Sequence, residues 1–183
     1  ATSHADEEGA DVTWQPRRRA GAAAGALGVS MHSRAFVVRV PHAACPVMGV
    51  QVVVMQDTLL VWCGAVPSDI EDEARDGAYA GALSRDWSVA MHVPSSTTMT
   101  TSLYRAAYHD DVSRRMSERL GTLGGEAHMS YELGLRQLYL SLDLPDVLVP
   151  RGAAALAPEE ARALPALERG LREVLERVRA ASS

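Results

Sequence analysis

Val50–Pro67 reads VQVVVMQDTLLVWCGAVP. Two aliphatic, β-branched runs hinge at Gln56-Asp57-Thr58, and Trp62, Gly64 and Pro67 close the second run. Val-rich runs of this length separated by a short polar hinge predict paired strands, Val47–Met55 and Thr58–Trp62, that build a core. No side chain in the stretch is equipped to do chemistry except the Cys63 thiol, and no neighbouring motif supplies that thiol with a base.

Strand signals continue on both sides. Ala35–Val40 (AFVVRV) precedes Pro41, and Trp87–Val93 alternates with a period of two before Pro94. Ser95–Tyr104 is rich in Thr, Glu126–Leu133 reads as a further strand, and Leu138, Leu140, Leu142 and Leu144 alternate before Pro145. Helix signals are fewer. Ser68-Asp69-Ile70-Glu71 has the capping-box spacing. Asp110 or Asp111 is placed to cap a helix with Val112, Met116 and Leu120 on one face. In Pro158–Ala180 an apolar stripe of Leu164, Leu167, Leu171, Val174 and Val178 predicts an amphipathic C-terminal helix. Runs of strands without strict alternation with helices predict an α+β fold: an antiparallel sheet of about six strands flanked by helices. Residues 1–32 read as a disordered or loosely attached leader, and 33–183 as a single domain.

Composition removes several classes of function. The net charge is −5 and the basic residues, all arginine, are scattered, which disfavours nucleic acid as a partner. No apolar run approaches the roughly 18 residues of a membrane span. The acids Asp6, Glu7 and Glu8 stand where a signal peptide carries basic residues, so a cytoplasmic location, with or without nuclear access, is expected. Two cysteines, Cys45 and Cys63, are too few for a disulfide framework and read as buried thiols. The six histidines have no zinc-ligand spacing, and His109-Asp110-Asp111 reads as a helix start before it reads as a metal site. Gly121–Gly125 follows a helix and leads to a strand, the reverse of a phosphate-binding loop. No catalytic, cofactor or metal site is expected.

The segment Val47–Pro67 resembles the proteasome assembly chaperone 4 family, in which a hairpin with Asp at its turn leads into Leu-x-x-Trp-x-Gly-Ala-x-Pro. The matching residues are Asp57, Leu59, Trp62, Gly64, Ala65 and Pro67. Thr101-Ser102-Leu103 is similar to the family's middle strand, and Met129-Ser130-Tyr131-Glu132-Leu133 to its Val-Ser-Tyr-Asn-Leu strand, with Glu132 in place of Asn. Val112–Leu120 and Leu167–Val178 fall where the family has its helices. The leader, the stretch Gly134–Ala163 and the length of Ser68–Trp87 depart from its compact pattern.

The resemblance implies a small α+β protein without enzymatic activity or cofactor. Such a protein pairs with a proteasome assembly chaperone 3-like partner or with itself. It binds alpha-type subunits and promotes assembly of the alpha ring of the 20S core particle. The motif residues Asp57, Trp62, Gly64, Ala65, Pro67, Ser130 and Tyr131 are then mainly structural, and the exposed arginines Arg114, Arg115 and Arg119 are candidates for partner contact. Two alternatives stand beside it: another small α+β interaction subunit of trafficking or profilin-like type, and an enzyme that depends on Cys63.

Overall fold

The computed structural model describes residues 11–15, 31–66, 85–92, 98–105, 111–121, 136–149 and 158–181. Seven strands form one sheet: β1 (Asp11–Gln15), β2 (His32–Arg39), β3 (Met48–Met55), β4 (Thr58–Ala65), β5 (Asp86–Met91), β6 (Met99–Arg105) and β7 (Gln137–Asp143). Helix α1 spans Val112–Gly121, α2 spans Pro158–Ala180, and a short 3-10 turn covers Asp146–Leu148. The class is α+β, as the sequence predicts.

The sheet order is β1-β2-β3-β4-β7-β5-β6. All neighbours are antiparallel except β4 and β7, which run parallel. The sheet is therefore mixed rather than wholly antiparallel. The physical reason is the α1 crossover: β6 and β7 both run antiparallel to β5, so the chain leaving β6 returns by way of α1 to enter on the far side of β5. β7 thereby becomes an interior strand between β4 and β5, and its inward leucines lie between the two hairpin systems. A second departure is β1. Residues 11–15, assigned by sequence to the leader, pair with Ala35–Arg39 of β2 and extend the sheet by one strand. The capping-box segment from Ser68, the Glu126–Leu133 segment expected to be a strand, and residues 134–135 and 150–157 lie outside the described residues.

Alternation sorts each strand into two faces. Phe36, Val38, Met48, Val50, Val52, Leu59, Val61, Cys63, Leu138, Leu140 and Leu142 share one face and one buried core. Both helices close that face. α1 supplies Val112, Met116 and Leu120, and lies over β5, β6 and β7. α2 supplies Ala163, Ala166, Leu167, Leu171, Val174, Leu175 and Val178, and lies over β1 and β2. Each fully buried leucine contributes about 1.5–3 kcal/mol of transfer free energy, so α2 is held by packing far more than by its intrinsic propensity. Arg119 of α1 joins the helices through a bidentate pair to Glu168 of α2, with Nε 2.8 Å from Oε1 and Nη2 2.7 Å from Oε2.

The β3–β4 hairpin has the tightest connection in the sheet. Met55 pairs directly with Thr58, leaving Gln56 and Asp57 as a two-residue turn. Asp57 has φ 58°, the left-handed region that Asp and Asn tolerate best among non-glycine residues. Its carbonyl accepts hydrogen bonds from the N–H groups of Arg136 (2.7 Å) and Gln137 (3.2 Å), so the turn also fixes where β7 begins. Asp57→Gly is expected to be neutral or to stabilise by up to about 1 kcal/mol, because glycine meets no steric cost at that φ. Asp57→Val is expected to destabilise by about 1–2 kcal/mol. Urea denaturation of both variants checks the sign difference.

Candidate functional site

On the sheet face opposite the helices, Trp62 and Gly64 of β4 are neighbours two residues apart. The indole lies along the strand over the glycine. A Cβ built on Gly64 would stand 2.5 Å from Cζ2 and 2.8 Å from Cη2 of Trp62, and 3.3 Å from Cβ of Asp143 in β7. The Trp-x-Gly pairing is thus a packing unit, with the ring filling the place that a side chain at 64 would take. Trp62 is only 4% exposed. Ala65 points to the opposite, helix-covered face and packs against the core. Pro67, Ser130 and Tyr131 lie outside the described residues.

The same face carries Val53 and Met55 of β3, Leu60 of β4, Tyr139 of β7, and Trp87 and Met91 of β5, all half-buried. Trp87 and Tyr139 meet as a tilted ring pair with centroids 6.4 Å apart. The indole Nε1–H of Trp87 is buried and has no acceptor. Neither α1 nor α2 covers this face. Trp62, Val89 and Ser141 on the same face are buried.

A second cluster forms where β5, β6 and α1 meet. Asp86 is 1% exposed and faces the start of α1. Its carboxyl accepts hydrogen bonds from the backbone N–H of Ser113 (2.7 Å) and from Ser113 Oγ (2.6 Å). The helix is therefore capped from a neighbouring strand. Asp111, which the sequence offers as the cap, has its backbone carbonyl in that role, accepting from the Arg115 N–H at 3.1 Å. Its side chain turns instead toward β6. One link further along, Ser88 Oγ donates to Ser117 Oγ at 3.1 Å, which donates to the Arg114 carbonyl at 3.0 Å. Small residues on β5 thus let α1 approach closely while the buried hydroxyls of Ser88, Ser113 and Ser117 find partners.

The sequence contains no signal for Asp86 as a cap, since it lies 27 residues from Ser113.

The Asp111 carboxylate accepts from Ser102 Oγ (3.2 Å) and Arg105 Nη1 (3.0 Å), with Arg114 Nε at 3.7 Å. Ser102 and Arg105 are three apart in a strand and would point to opposite faces. They share one because Leu103 is an extra residue in β6: Tyr104 pairs with Trp87 while Ser102 pairs with Ser88. Partial desolvation pushes the Asp111 carboxyl up. The Ser102 hydrogen bond and the Arg105 and Arg114 charges outweigh it and hold the group below the usual carboxylate range. A lowered folded-state pKa means that this cluster contributes stability above the ordinary carboxylate value and loses it as pH falls through the lowered one.

Of the candidate contact arginines, Arg119 is committed to Glu168, which together with the nearby Glu118 raises its pKa against the effect of desolvation. Arg114 borders Asp111, and Arg115 is exposed. Arg119→Ala is expected to cost about 1 kcal/mol, the upper range for a half-exposed pair with bidentate geometry, and to lose that effect in high salt.

The thiols are unsuited to nucleophilic work. Desolvation pushes Cys45 up to about 11. Cys63, completely enclosed in the core, is pushed up further by desolvation, then by Cys45 and Asp143. Thiolate is the reactive form, and neither site favours it at neutral pH. Among the described residues no group of His, Cys, Asp and Glu has a geometry for a metal ion. No described helix is long and apolar enough to cross a membrane.

No curated protein matches this chain. One chain of the solved structure described as "Crystal Structure of a Novel Chaperone Complex for Yeast 20S Proteasome Assembly" is similar at 16% identity and a TM-score of 0.45, covering 82% of this chain and 97% of that chain, a likeness too low to argue from. The family model described as Proteasome assembly chaperone 4 matches residues 47–122, from the residue before β3 to the residue after α1 and less than half of the 183 residues. Over that segment, which holds the Trp62–Gly64 unit, the Asp86 cap and the bulged β6, the chain resembles the proteasome assembly chaperone 4 family.

Proposed function

We infer that this protein is a non-enzymatic assembly chaperone for the alpha ring of the 20S proteasome, acting together with a partner chaperone of similar fold or with a second copy of itself. The observation that carries the reading is the family match over residues 47–122, which spans β3, β4, β5, β6 and α1. The physical form of the protein supports it. On the sheet face opposite α1 and α2, Leu60, Trp87, Met91 and Tyr139 are half-buried apolar side chains of the kind that partner contacts use.

The mechanism is templating. A chaperone pair that holds alpha-type subunits side by side raises their effective concentration for ring closure, without making or breaking a covalent bond. Proteasome alpha-type subunits and a proteasome assembly chaperone 3-like partner are the binding targets this reading requires. Cytoplasm with nuclear access is the compartment that goes with it.

Affinity capture of the tagged chain from its source cells, read by mass spectrometry, tests the proposal. The expected result is enrichment of alpha-type proteasome subunits with immature core particles and one small companion chaperone. Capture of an unrelated complex without proteasome subunits would overturn it.

A further inference from the structure

Strand β6 ends the sheet, and it is an unusual edge. Natural edge strands are kept short or are guarded by charges, prolines or a covering element. β6 has seven residues, all but Thr100 exposed, with charge only at Arg105. Three of the four exposed large hydrophobics among the described residues lie on it: Met99 (56%), Leu103 (46%) and Tyr104 (52%). Its inner side pairs with β5, and no described strand occupies its outer side.

At its C-terminal end a shallow depression of about 450 Å³ is lined by Ser102, Leu103, Tyr104, Arg105, Asp111 and Arg114. There two guanidinium groups share the one carboxylate of Asp111, a positive excess among the described residues of a protein of net charge −5.

The geometry points to β6 as a docking edge for an extended, acidic peptide segment of a partner protein, which adds as a further strand. The backbone of β6 supplies the hydrogen bonds, as in other strand-addition complexes. Leu103 and Tyr104 supply apolar contact for one side chain of the segment. Arg105 and Arg114 receive its carboxylate, with Asp111 holding both guanidinium groups in place. The Leu103 bulge makes the specificity possible, because it puts Arg105 on the same side as Asp111 and Arg114. A basic segment would meet like charge at the same end, so the edge discriminates by sign. This inference stands on the edge itself and not on the chaperone reading; the source of the segment is left to its chemistry.

The test uses the whole chain, immobilised, against a displayed library of random ten-residue peptides. A parallel selection uses Arg105→Glu/Arg114→Glu, both surface positions, with circular dichroism confirming an unchanged fold. The expected result is enrichment of peptides with alternating apolar residues and an acidic residue near one end. Their recovery should fall at least tenfold on the charge-reversed variant, and amide shifts on titrating a selected peptide should concentrate at Met99–Arg105. Peptides without acidic bias, recovery indifferent to charge reversal, or shifts centred on the Trp87 face would each overturn the proposal. A self-association of the free chain that Leu103→Lys abolishes would overturn it too, since a second copy would then occupy the edge.

Discussion

Replacing Asp86 by alanine is expected to destabilise the protein by about 3–4 kcal/mol, a large share of the 5–15 kcal/mol that holds a typical domain together. The substitution removes the acceptor for two hydrogen bonds in a site that is 1% exposed. Water cannot replace it there without opening the seam between β5 and α1. An unpaired buried N–H costs about 1–3 kcal/mol, and loss of a carboxyl from a helix N-terminus adds up to about 2. Asp86→Asn keeps one oxygen to accept from the Ser113 N–H, and its amide N–H₂ can donate to Ser113 Oγ, but the negative charge at the helix N-terminus is lost, so its cost is expected to be intermediate, about 1–2 kcal/mol. The paired measurement is guanidinium denaturation followed by far-ultraviolet circular dichroism. Hydrogen exchange should show the extra opening concentrated in α1. A loss under about 1 kcal/mol for alanine would mean that the cap is not what anchors this helix.

Gly64→Val is expected to cost about 3 kcal/mol or more, and Gly64→Ala about 1–3. The new Cβ would stand 2.5 Å from the Trp62 ring, and the ring, 4% exposed, has little room to withdraw. Intrinsic tryptophan fluorescence reads the displacement. The double variant Gly64→Ala/Trp62→Leu should recover part of the loss, because a shorter side chain at 62 leaves the space above position 64 free. Additive losses would show that the two residues do not form a packing unit.

The hairpin, its two-residue turn and the helices at Val112 and Pro158 were legible because each is decided locally. Alternation, a turn residue that tolerates positive φ and an apolar stripe all act over a few residues. The direction of β7 was not legible. Parallel pairing with β4 depends on where α1 delivers the chain, and leucines alternating over 138–144 are compatible with either direction. Likewise β1 escaped detection because five residues at an edge need only backbone pairing. At the candidate sites, Trp62 and Gly64 were visible as letters, but the contact that relates them was not. Arg114 and Arg119 were visible as charges, whereas Asp111 and Glu168 were identified as their neighbours only by the folded chain.

The proposed function has the protein act by binding alone. The most direct measurement mixes the purified chain, with its companion chaperone where capture has identified one, with recombinant alpha-type subunits. Light scattering after size exclusion then follows complex formation and the yield of closed rings. The account predicts a co-eluting complex and a higher yield of correctly closed rings. A chain that elutes alone, with ring yield unchanged, would contradict it.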